Sequence, residues 1–181
     1  MFDVDELIAD CQRAVAESQP ILAVKEVLER MASSPREVEA ALPPTRGELV
    51  PLFASPELSI LKVVWAPGMR VGPHNHLMWA AIGLYGGRED NEFYRRDGTR
   101  LARSGGCELH TGDVTLLGDD TIHAVVNPSR AFTGAIHVYG GDITAGTGRS
   151  EWDDATGEER AYDFERTKRL FEAANASTQN L

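Results

Sequence analysis

Between about residue 47 and residue 139 the chain is a succession of short β-prone runs separated by turn signals, with no helical period between them. Glu48-Leu49-Val50-Pro51-Leu52 and Leu58-Ser59-Ile60-Leu61-Lys62-Val63-Val64-Trp65 are rich in apolar and β-branched residues, and Ala66-Pro67-Gly68 follows as a turn. Further strands are expected at about 77–85, 89–96, 100–104, 107–110, 113–117, 122–126 and 132–139. Asp97-Gly98, between Tyr94-Arg95-Arg96 and Thr99-Arg100-Leu101, is a strong tight-hairpin signal. Many short strands joined by glycine-rich turns predict an all-β sandwich or barrel of the jelly-roll type.

The flanks read differently. Residues 3–42 are helical in pattern. Asp5-Glu6-Leu7-Ile8 opens one amphipathic segment. Pro20 is placed for the first turn of a second, which carries Val24, Val27, Leu28 and Met31. Ser34-Pro35-Arg36-Glu37 starts a third, and Pro43-Pro44 ends it. After Tyr139 the pattern dissolves into glycine-rich sequence, and a last helix is expected from about Tyr162 to Ala174. The tail from Ser177 to Leu181 is expected to fray. One domain is expected over residues 1–181: a helical segment at 1–43, a barrel at 44–145, and an extension with a helix at 146–181.

The formal net charge of −10 argues against nucleic acid or an anionic membrane surface as partner. The acidic opening Met1-Phe2-Asp3-Val4-Asp5-Glu6 lacks the pattern of a signal peptide, and no apolar run approaches a membrane span. Cys11 and Cys107 are too few for a disulfide framework and read as free thiols. A cytoplasmic location is therefore expected.

Chemistry concentrates in Gly72-Pro73-His74-Asn75-His76. Side chains two apart on a strand share a face, so His74 and His76 can reach one point. Open metal sites usually take three protein ligands. The third candidate is His123, in Ile122-His123-Ala124-Val125-Val126-Asn127 after the Gly112-Asp113 turn. A lone histidine is more often structural than ligating. A His-x-His pair, followed by Gly-Asp, His and an Asn four residues on, is the cupin pattern. Cupins commonly place a Glu four to six residues after the second His, but here Ala80, Ala81 and Ile82 stand there. Glu89 and Glu92, in the next hairpin, are candidates to fold back as ligands, but read first as exposed or hairpin-bridging acids. Trp79 is a candidate for the pocket wall, Met78 and Tyr85 for the core, and His110 for the surface.

The chain resembles the thiol dioxygenases, in particular the cysteine dioxygenase family of cupins. The matching residues are Thr45-Arg46-Gly47-Glu48-Leu49-Val50, Leu61 through Gly68, Pro73-His74-Asn75-His76, Gly112 through Asn127, and Ile136-His137-Val138-Tyr139, covering about residues 44–157. The resemblance implies a double-stranded β-helix barrel and an iron(II) centre on His74, His76 and His123. It implies that Arg46 binds a substrate carboxylate and that His137 and Tyr139 form a catalytic pair beside the metal. Arg70 and Arg149 are alternative anion clamps. The family's Ser-x-His-x-Tyr begins here with Ala135, Ala81 replaces the cysteine that some members cross-link, and Pro44 replaces a tyrosine.

The function expected from the resemblance is oxidation of a small thiol, cysteine or 3-mercaptopropionate-like, to its sulfinate by dioxygen. Two alternatives remain open at this stage: a metallocupin oxygenase that cleaves a C–C bond of a diketone or aromatic acid, and a non-catalytic cupin that binds a small anion. The sequence leaves the oligomeric state undefined.

Overall fold

The computed structural model describes residues 1–145 and 147–178. Three helices come first: α1 (Val4–Val15), α2 (Pro20–Ala32) and α3 (Pro35–Ala41). The Asp3 carboxylate caps α1 by accepting from the backbone N–H groups of Asp5 and Glu6. Pro20 and Pro35 stand in the first turns of α2 and α3, where the missing N–H has no intrahelical partner to lose.

The strands follow as β1 (Glu48–Ala54), β2 (Ser59–Trp65), β3 (Arg70–Asn75), β4 (Ala80–Gly86), β5 (Arg88–Asp97), β6 (Arg100–His110), β7 (Val114–Leu117), β8 (Ile122–Val126), β9 (Thr133–Tyr139), β10 (Ser150–Trp152) and β11 (Glu159–Ala161). They form two antiparallel sheets, ordered β1-β2-β9-β4-β7 and β11-β10-β3-β8-β5-β6. This is the jelly-roll barrel expected from the strand pattern. Helix α4 (Phe164–Thr178) closes the described chain.

Several boundaries differ from the sequence reading. The strand expected from about 77 starts only at Ala80. The two strands expected around Gly105-Gly106 are one, β6, because a bulge beside Ser104 absorbs the extra residue and the ladder to β5 continues. β10 and β11 were not expected; three residues each are too few to show a period. Ser177 and Thr178 belong to α4, and residues 179–181 lie outside the described residues.

Helices α1–α3 cover the outer face of the five-stranded sheet. Leu7, Cys11, Val24, Leu28 and Val38 pack there with Ile60, Ala81, Tyr85, Ile136 and Val138. β2 and β9 are consequently buried at every position, and neither shows the regular polar–apolar alternation of a half-exposed strand. Helix α2 lies so close to β4 that a Cβ on Gly83 would come within 3.0 Å of Met31 Cε and 3.3 Å of Leu28 Cβ. Leu61, Val63, Ile82, Leu84, Val125 and their neighbours fill the barrel interior.

Helix α4 packs against the open end of that interior. Phe171 stacks on Trp65 with ring centroids 5.4 Å apart. Asn175 grips the start of β1 from both sides: its Oδ1 accepts from Gly47 N at 2.7 Å, and its Nδ2 donates to Gly47 O at 2.8 Å. No helix among the described residues is long and apolar enough to cross a membrane.

Candidate metal centre

β3 and β8 are neighbours, and their register sets His74 directly opposite His123. Gly72-Pro73 forms a bulge inside β3, between Val71 and His74. Proline cannot donate to a ladder, and a bulge is where a sheet interior tolerates it and where a side chain is re-aimed. β3 ends at Asn75. His76 is the next residue, and Leu77 turns the chain sharply with φ +56°. Asn75 itself pins that turn: its Oδ1 accepts from Ser150 N, and its carbonyl accepts from Arg149 Nε.

The three imidazoles converge. Nε2 of His76 lies 3.3 Å from Nε2 of His74 and 3.3 Å from Nε2 of His123. All three residues are buried, and their ligand atoms lie within 4.8 Å of one another. His74 Nδ1–H donates to Gly72 O at 2.9 Å, and His123 Nδ1–H donates to Asn91 Oδ1 at 2.7 Å. Their Nε2 lone pairs therefore face inward. Two nitrogens each about 2.05 Å from a tetrahedral ion would sit roughly 3.3 Å apart. The observed spacing fits a divalent ion, so His74, His76 and His123 are positioned to bind a metal.

Burial holds all three rings neutral, which is the ligating form. Desolvation, opposed by the Gly72 hydrogen bond and aided by the nearby Arg149 charge, lowers His74 from 6.5 to about 4. Desolvation and mutual repulsion place His76 and His123 well below the ordinary value. A stability prediction follows for the metal-free protein. Unfolded imidazoles take up protons near 6.5, whereas these folded ones resist until about 4 in the case of His74. The unfolded state binds more protons across that window, so stability falls as pH is lowered, by up to about 1.4 kcal/mol per pH unit for each histidine. Thermal melts of metal-free protein at pH 7 and pH 5 should show the midpoint dropping by several degrees. A flat profile would contradict the buried neutral state.

Behind the ligands lies a buried polar chain that the sequence reading missed. Glu89 is fully buried. Its Oε1 accepts from Asn91 Nδ2 at 2.9 Å, and its Oε2 accepts from Trp65 Nε1 at 2.6 Å. Nε2 of His137 has no aligned acceptor; its nearest is Glu89 Oε2 at 3.5 Å. On the other side, His137 Nδ1 lies 3.1 Å from the Tyr139 hydroxyl. Burial pushes the Glu89 carboxyl up, but the contacts from His137, Asn91 and Trp65 outweigh it and hold the group below its ordinary value. Glu89 therefore does not sit on the surface as expected. The signal was the two-residue spacing of Glu89 and Asn91, which sends both to one face of β5 while Asp90 faces the other way. Glu92 pairs with Arg70 at 2.8 Å, and Arg70 also binds Asp154, so neither is a ligand or a free clamp.

A cavity of about 50 Å³ adjoins the ligands. Trp65, His137, Tyr139, Arg149, Tyr162 and Phe171 line it beside the three histidines, with aliphatic side chains completing the wall. Tyr139 meets His76 edge-on at 5.0 Å, and burial pushes its phenol up, so it keeps its proton. Arg149 is 6% exposed. Its Nε and Nη1 donate to the carbonyls of Asn75 and Ile143, and its guanidinium lies 3.9 Å over the Tyr162 ring. Among the described residues no carboxylate pairs with it, and none lines the cavity.

Arg46 is not brought to this cavity. It is exposed, on a separate groove with Thr45, Phe132, Asn175 and Thr178, next to Gly47, which Asn175 holds by two hydrogen bonds. Trp79 faces away too, packed on the helix side with its ring over Gly140. Tyr85 is core and His110 is exposed, as the sequence suggested. Asn127 of the second motif is structural: its Nδ2 donates to the carbonyls of Trp65, Ala66 and Ala131.

No protein-family model matches the chain. Solved structures do. A Bacillus halodurans protein aligns with a TM-score of 0.50 at 17% identity over 57% of this chain and 77% of its own. Bacillus subtilis oxalate decarboxylase aligns with a TM-score of 0.44 at 13% identity, over 54% of this chain and 24% of its own. The cupin domain of Schizosaccharomyces pombe Cnp3 aligns with a TM-score of 0.44 at 9% identity, over 52% of this chain and 60% of its own. The chain thus spans a quarter of the decarboxylase's length and less than two thirds of the Cnp3 domain's. Such identities speak to fold alone. Together with the sheet order already described, they are consistent with a two-sheet antiparallel jelly-roll barrel. Its interior carries three histidines positioned to bind a metal.

Proposed function

We propose that the protein is an iron(II)-dependent dioxygenase that converts a small carboxylated thiol to its sulfinate. The observation that carries this reading is the pairing of a neutral three-histidine centre with an unpaired buried cation in one cavity. Neutral ligands leave the full charge on a divalent ion, and Arg149 adds another. An occupant with two negative groups, a thiolate and a carboxylate, offsets both.

Iron(II) held by His74, His76 and His123 would supply a redox-active centre where sulfur and dioxygen meet. The reaction balances as thiol plus dioxygen to sulfinate plus a proton. The O–O bond breaks, two S–O bonds form, and the sulfur gives up four electrons. The protein's own residues position the reactants. Arg149 holds the carboxylate with the donors its two carbonyl contacts leave free. Tyr139, whose hydroxyl lies 3.1 Å from His137 Nδ1, presents its phenol oxygen beside His76 to accept a proton that enters with the substrate. Trp65, Phe171 and the aliphatic wall exclude bulk water.

Cavity chemistry narrows the substrate. Among the described residues no acid lines it to receive an ammonium group, so a thiol acid without an amine suits it better than cysteine. The small volume favours a ligand of a few heavy atoms over an aromatic acid. The test is dioxygen uptake by iron(II)-loaded protein. Uptake should be fastest with 3-mercaptopropionate, slower with cysteine, slower still with cysteamine, and absent with acetylacetone. Uptake with the diketone alone would replace this reading by C–C cleavage. No uptake with any of them, despite bound iron, would leave a non-catalytic anion-binding cupin.

A further inference from the structure

We propose that Glu89 is the positioning residue of the metal centre: through Asn91 it sets the tautomer of the ligand His123, and through His137 it sets the direction of the Tyr139 hydroxyl. The inference rests on the three-histidine centre and is independent of which substrate is used.

An ionised carboxylate only accepts hydrogen bonds. Asn91 must therefore turn its amide N–H to Glu89 Oε1, at 2.9 Å. That choice fixes the other end of the same amide: Oδ1, an acceptor, faces His123 Nδ1 at 2.7 Å. His123 then carries its proton on Nδ1 and presents a bare Nε2 to the metal position, 3.3 Å from Nε2 of His76. Were Asn91 reversed, its N–H would face Nδ1, the imidazole proton would move to Nε2, and the ligand would be blocked. His74 obtains the same tautomer more simply, from the Gly72 carbonyl. Among the described residues no backbone carbonyl accepts from His123 Nδ1; Asn91, oriented by Glu89, takes that place.

The second arm follows the same logic. Oε2 of Glu89 accepts from Trp65 Nε1 and lies 3.5 Å from His137 Nε2. A bare Nε2 facing a carboxylate would set lone pair against lone pair, so a proton belongs on Nε2 of His137. In the tautomer that leaves Nδ1 bare, this atom accepts the Tyr139 O–H at 3.1 Å. The phenol oxygen keeps its lone pairs toward the cavity, ready to accept from whatever proton enters with substrate. Ala135, in the place where the resembling family carries a serine two residues before this histidine, supplies no hydroxyl. Glu89 reaches His137 from another strand.

Two measurements test this. In uniformly ¹⁵N-labelled, metal-free wild type, side-chain spectra should show His123 protonated at Nδ1 and His137 at Nε2. The opposite tautomer at either ring would overturn that arm of the proposal without any variant. The second is Glu89→Gln, nearly isosteric but able to donate from one end. It should weaken Zn²⁺ binding, read by calorimetry, by about ten- to a hundredfold. It should also shift the His123 and His137 tautomer populations, which a change of packing alone would not do. Unchanged zinc affinity together with an unchanged ¹⁵N pattern in Glu89→Gln would contradict the proposal. If Glu89→Gln does not fold, the wild-type spectra alone decide. Neither readout needs turnover, so a thiol-inactive protein with the expected tautomers would refute only the substrate assignment.

Discussion

Replacing His123 with alanine should abolish tight binding of divalent metal. His123 supplies one of three convergent nitrogens and stands opposite His74 in the β3–β8 ladder, so no neighbouring side chain can substitute for it. Loss of an outer-shell partner typically costs ten- to a hundredfold in metal affinity. Loss of a ligand should cost more, on the order of a thousandfold, and reduce metal recovered after dialysis to near background. The fold should survive. The variant leaves Asn91 Oδ1 without its donor, a penalty of about 1–3 kcal/mol, but it relieves the crowding of bare nitrogens in the metal-free state. Near-stoichiometric metal in His123→Ala would mean that the ion sits elsewhere.

The second large effect belongs to Arg149. In Arg149→Gln the KM for 3-mercaptopropionate should rise roughly ten- to a hundredfold, the equivalent of about 1.5–3 kcal/mol for a charge-assisted contact. kcat should change less, because the guanidinium contacts the carboxylate rather than the reacting sulfur. The rate with cysteamine, which has no carboxylate, should hardly move. Arg149→Lys should recover part of the loss, since it keeps the charge but not the planar fork. Equal losses for both thiols would show that Arg149 acts through the Asn75 and Ile143 carbonyls, as a brace for the His76 turn. Arg46→Gln, by contrast, alters a residue on a groove remote from the cavity and should leave both rates intact.

His74, His76 and His123 could be grouped from the sequence because their signal is local. His74, Asn75 and His76 are contiguous, and His123 opens its own strand, so spacing and flanking turns were enough to group them. The barrel was legible for a similar reason: short β-prone runs and Asp97-Gly98 are nearest-neighbour features. Glu89 was missed, and Arg149 was offered only as an alternative anion clamp beside Arg70. A charged residue in a polar hairpin or a glycine-rich loop reads as solvated, and its burial is decided by distant partners. For Glu89 these are Trp65, Asn91 and His137; for Arg149 they are Asn75, Ile143 and Tyr162. The apolar side of α4 was read from Phe164, Leu170 and Phe171, of which Leu170 is exposed and Phe171 buried. That it would seal the metal cavity by stacking on Trp65 depends on Asn175 meeting Gly47, 128 residues away. Arg46 shows the converse, because its neighbours in sequence matched a familiar pattern while the fold held it outside the barrel.

The most direct test is isotopic. Iron(II)-loaded protein is given 3-mercaptopropionate under ¹⁸O₂, and the product is weighed by mass spectrometry. A sulfinate carrying two labelled oxygens is the outcome expected if thiol and dioxygen meet at the His74–His76–His123 centre beside Arg149. Disulfide alone, or recovery of unreacted thiol from protein with iron bound, would contradict a thiol dioxygenase.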